Sequence, residues 1–229
     1  MQKQEIEPIY LILHSDYENV FCGLFKGNEC LGTAQEHKIK ASKNLMQLLV
    51  DLLASHNITW QQLAFIGVNQ GPSPFTTLRV VITTVNGLLF AHNIPLVGID
   101  GLHTFLTEFH QPKGLVIALL NAFNNDVYYG ITHADQTIET GWEFNATFLQ
   151  RMHTKYANMP ITFVGNGVTL YKERIQNLFP HAHVPEPIQQ TASLDAISFT
   201  AFLQWQKGLT VHEPLLPLYL KTLTYKEST

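Results

Sequence analysis

Residues 67–79 read Gly-Val-Asn-Gln-Gly-Pro-Ser-Pro-Phe-Thr-Thr-Leu-Arg and run straight into a helical pattern. An apolar strand, Leu63–Val68, precedes them, and a Gly-Pro turn carries the backbone from its end to the start of a helix. Ser73 is placed to cap that helix, and Pro74 suits its first position, where no N–H is needed. The free amides of such a terminus make a natural anion or phosphate site. The same arrangement also serves simply to start a helix cleanly. Which use applies separates a catalyst from a partner protein.

The helix that follows is expected over 74–91, with Leu78, Val81, Ile82, Val85, Leu88 and Leu89 at i, i+3, i+4, i+7 spacing. Asn86-Gly87 would ordinarily mark a turn. The stripe continues on both sides of it, so Gly87 reads as a point of close helix contact. Upstream, 41–56 carries Leu45, Leu48, Leu49, Leu52 and Leu53 on one helical stripe. Before it, 8–14 is a short apolar strand, and 19–26 with 29–36 flank Gly27-Asn28 as a hairpin. A fifth strand is expected at 95–99.

This β-β-β-α-β-α-β order is the first half of the actin-like, sugar-kinase-like ATPase fold, an α/β, ribonuclease H-like architecture of two similar lobes, each a mixed sheet flanked by helices. The second half opens with strands at 115–120, 126–132 and near 137–142. A strand at 161–164 then meets Gly165-Asn166-Gly167 and a helix over 168–178. A last helix is expected at 193–208, and 215–220 is extended. Lobes of 1–110 and 111–229 follow, linked by Glu108–Gly114 with its Pro112, and the segment 193–229 is expected to pack back on the first lobe.

Composition narrows the function. The 229 residues are 45% hydrophobic, enough for a substantial core, and carry a formal net charge of −4 with only 14% charged residues. Strong autonomous nucleic-acid binding, which needs a basic surface, is disfavoured. Pairing Phe25 with Cys30 and Cys22 with Thr33 in the hairpin would put the two cysteines on opposite faces, against a disulfide. No leader-like segment is evident, and no apolar run approaches the ~20 residues that cross a bilayer. The expectation is a soluble cytoplasmic protein with no membrane contact.

The stretch Gly71-Pro72-Ser73-Pro74-Phe75-Thr76-Thr77-Leu78-Arg79 resembles the Gly-Pro-Gly-Ser-Phe-Thr-Gly-Leu-Arg signature of the TsaB family, formerly called YeaZ. Val85-Asn86-Gly87-Leu88 sits where that family has Ala-Lys-Gly-Leu. Pro95-Leu96-Val97-Gly98-Ile99 is similar to its Pro-Ile-Gly-Val strand. Asn121–Tyr129 stands in the place of its Asp-Ala-Arg…Glu-Val-Tyr segment, and Leu218-Tyr219-Leu220-Lys221 resembles its C-terminal Val-Tyr-Leu-Arg. The resemblance implies a role in making N6-threonylcarbamoyladenosine (t6A) in tRNA. It implies a TsaD-like catalytic subunit and a TsaE-like ATPase as partners, with tRNA met only through the complex. In the family the first two helices pack on those of TsaD as a four-helix bundle.

The departures bear on chemistry. Where the family's first strand ends Ile-Asp-Thr, this chain has Leu13-His14-Ser15. A histidine cannot supply the hard anionic oxygen that magnesium takes, and His14 and Asp16 read as ordinary turn residues. The phosphate loop has lost glycines to Ser73 and Thr77, and Pro74 offers no donor. Ser73, Thr76 and Arg79 read either as a surviving anion site or as a capped helix with an arginine in an ion pair. Asp-Ala-Arg has become Asn121-Ala122-Phe123, and Asn124, Asn125 and Asp126 read as turn residues. The first long helix lacks TsaD's His-x-x-x-His metal pair. His181 and His183 fall in a Pro-flanked loop as solvated residues. No catalytic residue, metal site or cofactor is expected.

Apolar residues off the main stripes, Met46 and Val50 on one helix and Val80 and Phe90 on the other, mean burial on two sides. Either the helices are sandwiched within their own domain, or one face meets a partner. The seam assigned on the second reading is Leu45, Leu48, Leu49, Leu52, Leu78, Val81, Ile82, Val85 and Leu89, so a carboxylate at Leu48 or Val85 should weaken assembly. The leading expectation is a non-catalytic subunit. The alternatives are an ATP-dependent sugar or acid kinase of the same fold, and a self-associating module that forms a homodimer when alone.

Overall fold

Tyr10-Leu11-Ile12-Leu13 and Phe65-Ile66-Gly67-Val68 are apolar at successive positions, the pattern of strands covered on both faces. In a computed structural model, which describes residues 7–109, 114–133 and 135–221, they form the centre of a five-stranded sheet. Its strands are β1 (Ile9–Ser15), β2 (Asn19–Lys26), β3 (Glu29–His37), β4 (Leu63–Asn69) and β5 (Leu96–Ile99), in the order β3-β2-β1-β4-β5. β1, β2 and β3 run antiparallel, while β4 and β5 run parallel to β1.

Helices α1 (Lys38–Ser55) and α2 (Phe75–His92) cover one face of this sheet. Leu45, Leu49, Leu52, Val81, Val85 and Leu89 join Leu11, Leu13, Ile66 and Val68 in one core there. On the other face lies α7 (Leu194–Gln206), against a ladder of rings. Tyr10 stacks on Phe25, Phe65 and Phe202, with ring centroids 5.5, 4.5 and 5.8 Å away, and its hydroxyl donates to the Gly27 carbonyl.

The second sheet contains β6 (Leu115–Asn121), β7 (Asp126–Thr132), β8 (Ile138–Phe144) and β9 (Ile161–Val164), ordered β8-β7-β6-β9. It repeats the antiparallel meander plus a parallel strand. Helix α4 (Asn145–Tyr156) buries Phe148, Leu149 and Met152 against one face. From α3 (Gly101–Thr107), Leu102 and Leu106 approach β7 at Gly130. Helices α5 (Asn166–Leu170) and α6 (Lys172–Leu178) complete this part.

The chain divides into two units, Met1–Gly101 with Ser193–Leu218, and Leu102–Ala192 with Tyr219–Thr229. The expected link at Pro112 lies outside the described residues. Two helices were not anticipated. α3 is only seven residues long, and the core-facing stripe of α4 begins with a polar residue, Asn145, which blurs its period. The expected helix at 168–178 breaks at Tyr171, whose backbone leaves the helical region. The 215–220 stretch forms no strand; Val211 alone bridges to Leu96.

The hairpin register is also corrected. Phe25 does pair with Cys30, but a bulge between Leu24 and Phe25 shifts Cys22 onto Ala34 rather than Thr33. Cys22 is buried in the α1–α2 core and Cys30 is exposed. Burial pushes the Cys22 thiol up to about 12.

Candidate functional site

The strand ends that would face phosphates are those of β1 and β4, joined to α2 by residues 70–74. Each polar group there turns inward. Asn69, buried at the end of β4, accepts from the Gly71 N–H through Oδ1 at 2.9 Å. That bond points Nδ2 at the Nδ1 of His14, 2.8 Å away. An amide nitrogen can only donate, so Nδ1 must accept and the imidazole is neutral. Burial acts in the same direction, holding His14 down at about 4 despite the nearby Asp16 carboxylate.

His14 is therefore a buried strand residue, which corrects its reading as a turn residue. Asp16 is a turn residue, its carboxylate accepting from the backbone of Glu18 and Asn19 at 2.7 and 2.6 Å. Ser73 does not cap α2 either. Its hydroxyl meets Ser15 at 2.9 Å, and Pro74 stands at the cap with no side-chain bond. Gly71, at φ +116°, occupies backbone space unfavourable to residues with a Cβ, and its carbonyl accepts from Gly101 N–H at 2.9 Å.

Thr76 and Arg79 lie on the exposed side of α2, and the Arg79 guanidinium sits 3.7 Å above the Phe75 ring. Ser73 is buried, so the structure does not gather Ser73, Thr76 and Arg79 into one cradle. A nucleotide's phosphates and their metal ion do not fit these residues. The strand-end acid is replaced by a neutral imidazole, and the Gly71 amide and Ser73 hydroxyl already have partners inside the protein. Among the described residues, no group of three or more His, Cys, Asp or Glu side chains could hold a metal ion. His181 and His183 are exposed, and the backbone of His183 pairs with β9 through Ile161 and Phe163.

The seam residues require a correction as well. Leu45, Leu49, Leu52, Leu78, Val81, Ile82, Val85 and Leu89 are buried, and Leu48 packs against the same core. The eight buried side chains have almost no surface left for a partner, and only the half-buried Leu48 keeps some. The large apolar residues of these two helices that are exposed all lie off the stripes. On α1 they are Ile39, Met46 and Val50; on α2, Phe75 and Phe90, the last 94% exposed. Between those two phenylalanines run Thr76, Thr83 and Gly87, also exposed, with no atom within 4 Å of where a Gly87 Cβ would stand. Arg79 is the sole Lys, Arg, Asp or Glu in the eighteen residues of α2. A shallow groove of about 470 Å³ between Ser42 of α1 and Thr76, Val80 and Thr83 of α2 completes this face.

Two features escaped the sequence reading. Asn86 sits in mid-helix because its amide pairs with both backbone groups of Leu215, at 2.9 and 3.0 Å. With Gln70 bonded to Leu216 and Leu218, it straps the 215–218 segment over the loop. Lys221, in the segment that resembles Val-Tyr-Leu-Arg, reaches Asp126 at 2.6 Å and the Ala122 carbonyl at 3.3 Å, and lies 5.5 Å from the Trp142 ring. It fastens a hairpin tip in which Phe123, Asn124 and Asn125 all have positive φ. Sequence order alone held the clue, since the partners lie about a hundred residues apart.

A family sequence model described as TsaD, tRNA N6-adenosine threonylcarbamoyltransferase, matches residues 34–209. The tRNA threonylcarbamoyladenosine biosynthesis protein TsaB of Bacillus subtilis (strain 168) is 24% identical over 200 residues, covering 82% of this chain and 80% of that protein. TsaB of Haemophilus influenzae is 28% identical over 91 residues, 38% of each chain. Among solved structures, one described as YeaZ from Pseudomonas aeruginosa superposes with a TM-score of 0.68 at 22% identity, covering 93% of this chain and all of the other. A Bacteroides thetaiotaomicron protein described as having the actin-like ATPase fold reaches 0.51 at 6% identity, over 89% of this chain and 98% of that one. The architecture is thus the actin-like one expected from the element order.

Proposed function

The chain belongs to the tRNA N6-adenosine threonylcarbamoyltransferase family in its TsaB (YeaZ) form, and from that membership we propose that it serves t6A biosynthesis as a non-catalytic subunit. It binds a TsaD-like catalytic subunit and works with a TsaE-like ATPase, meeting tRNA within the complex in the cytoplasm. One observation carries the non-catalytic part. The strand-end position that would hold an acid is a neutral, buried His14 engaged with Asn69. The docking face in this reading is the outer side of α1 and α2, with Met46, Val50, Phe75 and Phe90 in place of the buried stripe. Small side chains between the phenylalanines let a partner helix approach closely.

The test is reconstitution. The purified chain alone should neither hydrolyse ATP nor modify tRNA, yet raise modification when added to TsaD and TsaE. Full modification by those two proteins without this chain would defeat the reading. The same face could take a second copy of the chain, and light scattering of the isolated protein reads that out directly.

A further inference from the structure

On the second unit, a depression of about 810 Å³ opens beside the first turn of α4. One buried side chain organises it. Asn145 is 4% exposed; its backbone N–H and its Nδ2 both donate to the Asn125 carbonyl, at 2.9 and 2.7 Å. Its Oδ1 accepts from Nη1 of Arg174 at 2.8 Å. One amide therefore joins a hairpin tip, a helix start and a guanidinium. Because that partner is neutral, the charge of Arg174 stays uncompensated. Neither Arg174 nor Lys172 enters an ion pair among the described residues. Among the described residues Glu173 is the one carboxylate that lines the depression, so the lining side chains carry a single excess positive charge. Phe144, 46% exposed, and the half-buried Tyr171 add aromatic surface to the same wall.

Two cationic side chains in one wall with exposed ring surface match a nucleotide, whose phosphate is anionic and whose base stacks. A free mononucleotide brings close to two negative charges at neutral pH, whereas a phosphodiester brings one, the number the wall compensates. We propose that this depression seats one nucleotide of a single-stranded nucleic acid, with its phosphodiester on Arg174 and Lys172 and its base against the more exposed ring, Phe144. A contact of one nucleotide is weak and salt-sensitive, which agrees with a chain that is acidic overall. The inference goes beyond the subunit role, and its readout is binding by the isolated full chain, so either can fail alone.

Backbone amide shifts of the full-length protein would be followed by NMR at low ionic strength. The probes are a short single-stranded oligoadenylate, adenosine monophosphate and inorganic phosphate. The oligoadenylate should shift resonances around Asn145 and Arg174, with affinity falling as salt rises. The exposed double variant Lys172→Gln/Arg174→Gln should bind it at least roughly tenfold more weakly, and Phe144→Ala roughly 5- to 150-fold, the range for loss of one stacked base. Three results overturn the assignment: no shift at millimolar oligoadenylate, unchanged binding by both folded variants, or adenosine monophosphate or phosphate binding as tightly as the strand.

Discussion

Asn69 donates to His14 across the ends of two parallel strands, Nδ2 to Nδ1 at 2.8 Å, while its own Oδ1 is fixed by the Gly71 N–H. The amide cannot flip without losing both bonds, so the imidazole facing it cannot take a proton without setting donor against donor.

This arrangement makes stability depend on pH. Burial lowers the folded-state value of His14 from 6.5 to about 4. Between those values the unfolded chain binds the proton and the folded one does not, so stability is full above about pH 6.5 and declines as pH falls toward 4, by up to about 3 kcal/mol. Below 4 this contribution is exhausted. Urea titrations across that range should show a steeper acid loss in the native chain than in His14→Gln. Parallel acid limbs in the two proteins would contradict the assignment.

The outer and inner faces of α1 and α2 should separate by mutation. Val50→Asp and Phe90→Asp change exposed positions, so unfolding free energies should move by less than about 0.5 kcal/mol. Binding to a TsaD-type subunit should nevertheless weaken. Val85→Asp places a charge where there is no exposed surface, and unfolding should be lowered by several kcal/mol, roughly 3 or more. Calorimetry with and without the partner distinguishes the two classes, and an undiminished complex with Phe90→Asp would move the docking face elsewhere.

Lys221 should stabilise the β6–β7 tip. Its ion pair with Asp126 is only 18% and 15% exposed at the two side chains. Lys221→Met should cost about 1–3 kcal/mol and open the Phe123–Asn125 turn to proteolysis. A double-mutant cycle with Asp126→Asn measures the coupling; a value near zero would mean that the pair is ornamental.

Gly165 follows β9 at φ +96°, and a Cβ there would collide with the Leu119 carbonyl of the adjoining strand. Gly165→Ala combines a left-handed backbone with a backbone clash that no rotamer relieves, so a loss of about 1–3 kcal/mol is expected. A wild-type melting temperature would refute it.

The second unit was the harder of the two to read. α4 carries its stripe on Asn145, Phe148, Leu149 and Met152, and the polar first member hides the period. Asn145 is buried because it links Asn125 to Arg174, partners twenty and twenty-nine residues away, beyond any local pattern. The α1 and α2 stripes were plain, yet their meaning inverted. Periodicity identifies a face that is buried without saying whether a sheet or a partner buries it.

Sequence by itself determined the order of the nine strands and the two helical stripes of the first unit, because these depend on residue type and local spacing, and the resemblance to the TsaB family marked position 14 as one that lacks the family's acid. Only the tertiary structure decided that His14 is enclosed and neutral, that Ser73 faces Ser15 instead of capping α2, and that the exposed large apolar residues of α1 and α2 are Ile39, Met46, Val50, Phe75 and Phe90. The physical reason is common to all three. Burial and hydrogen-bond partnership depend on which distant segments fold over a residue, and the chain's own periodicity does not encode that.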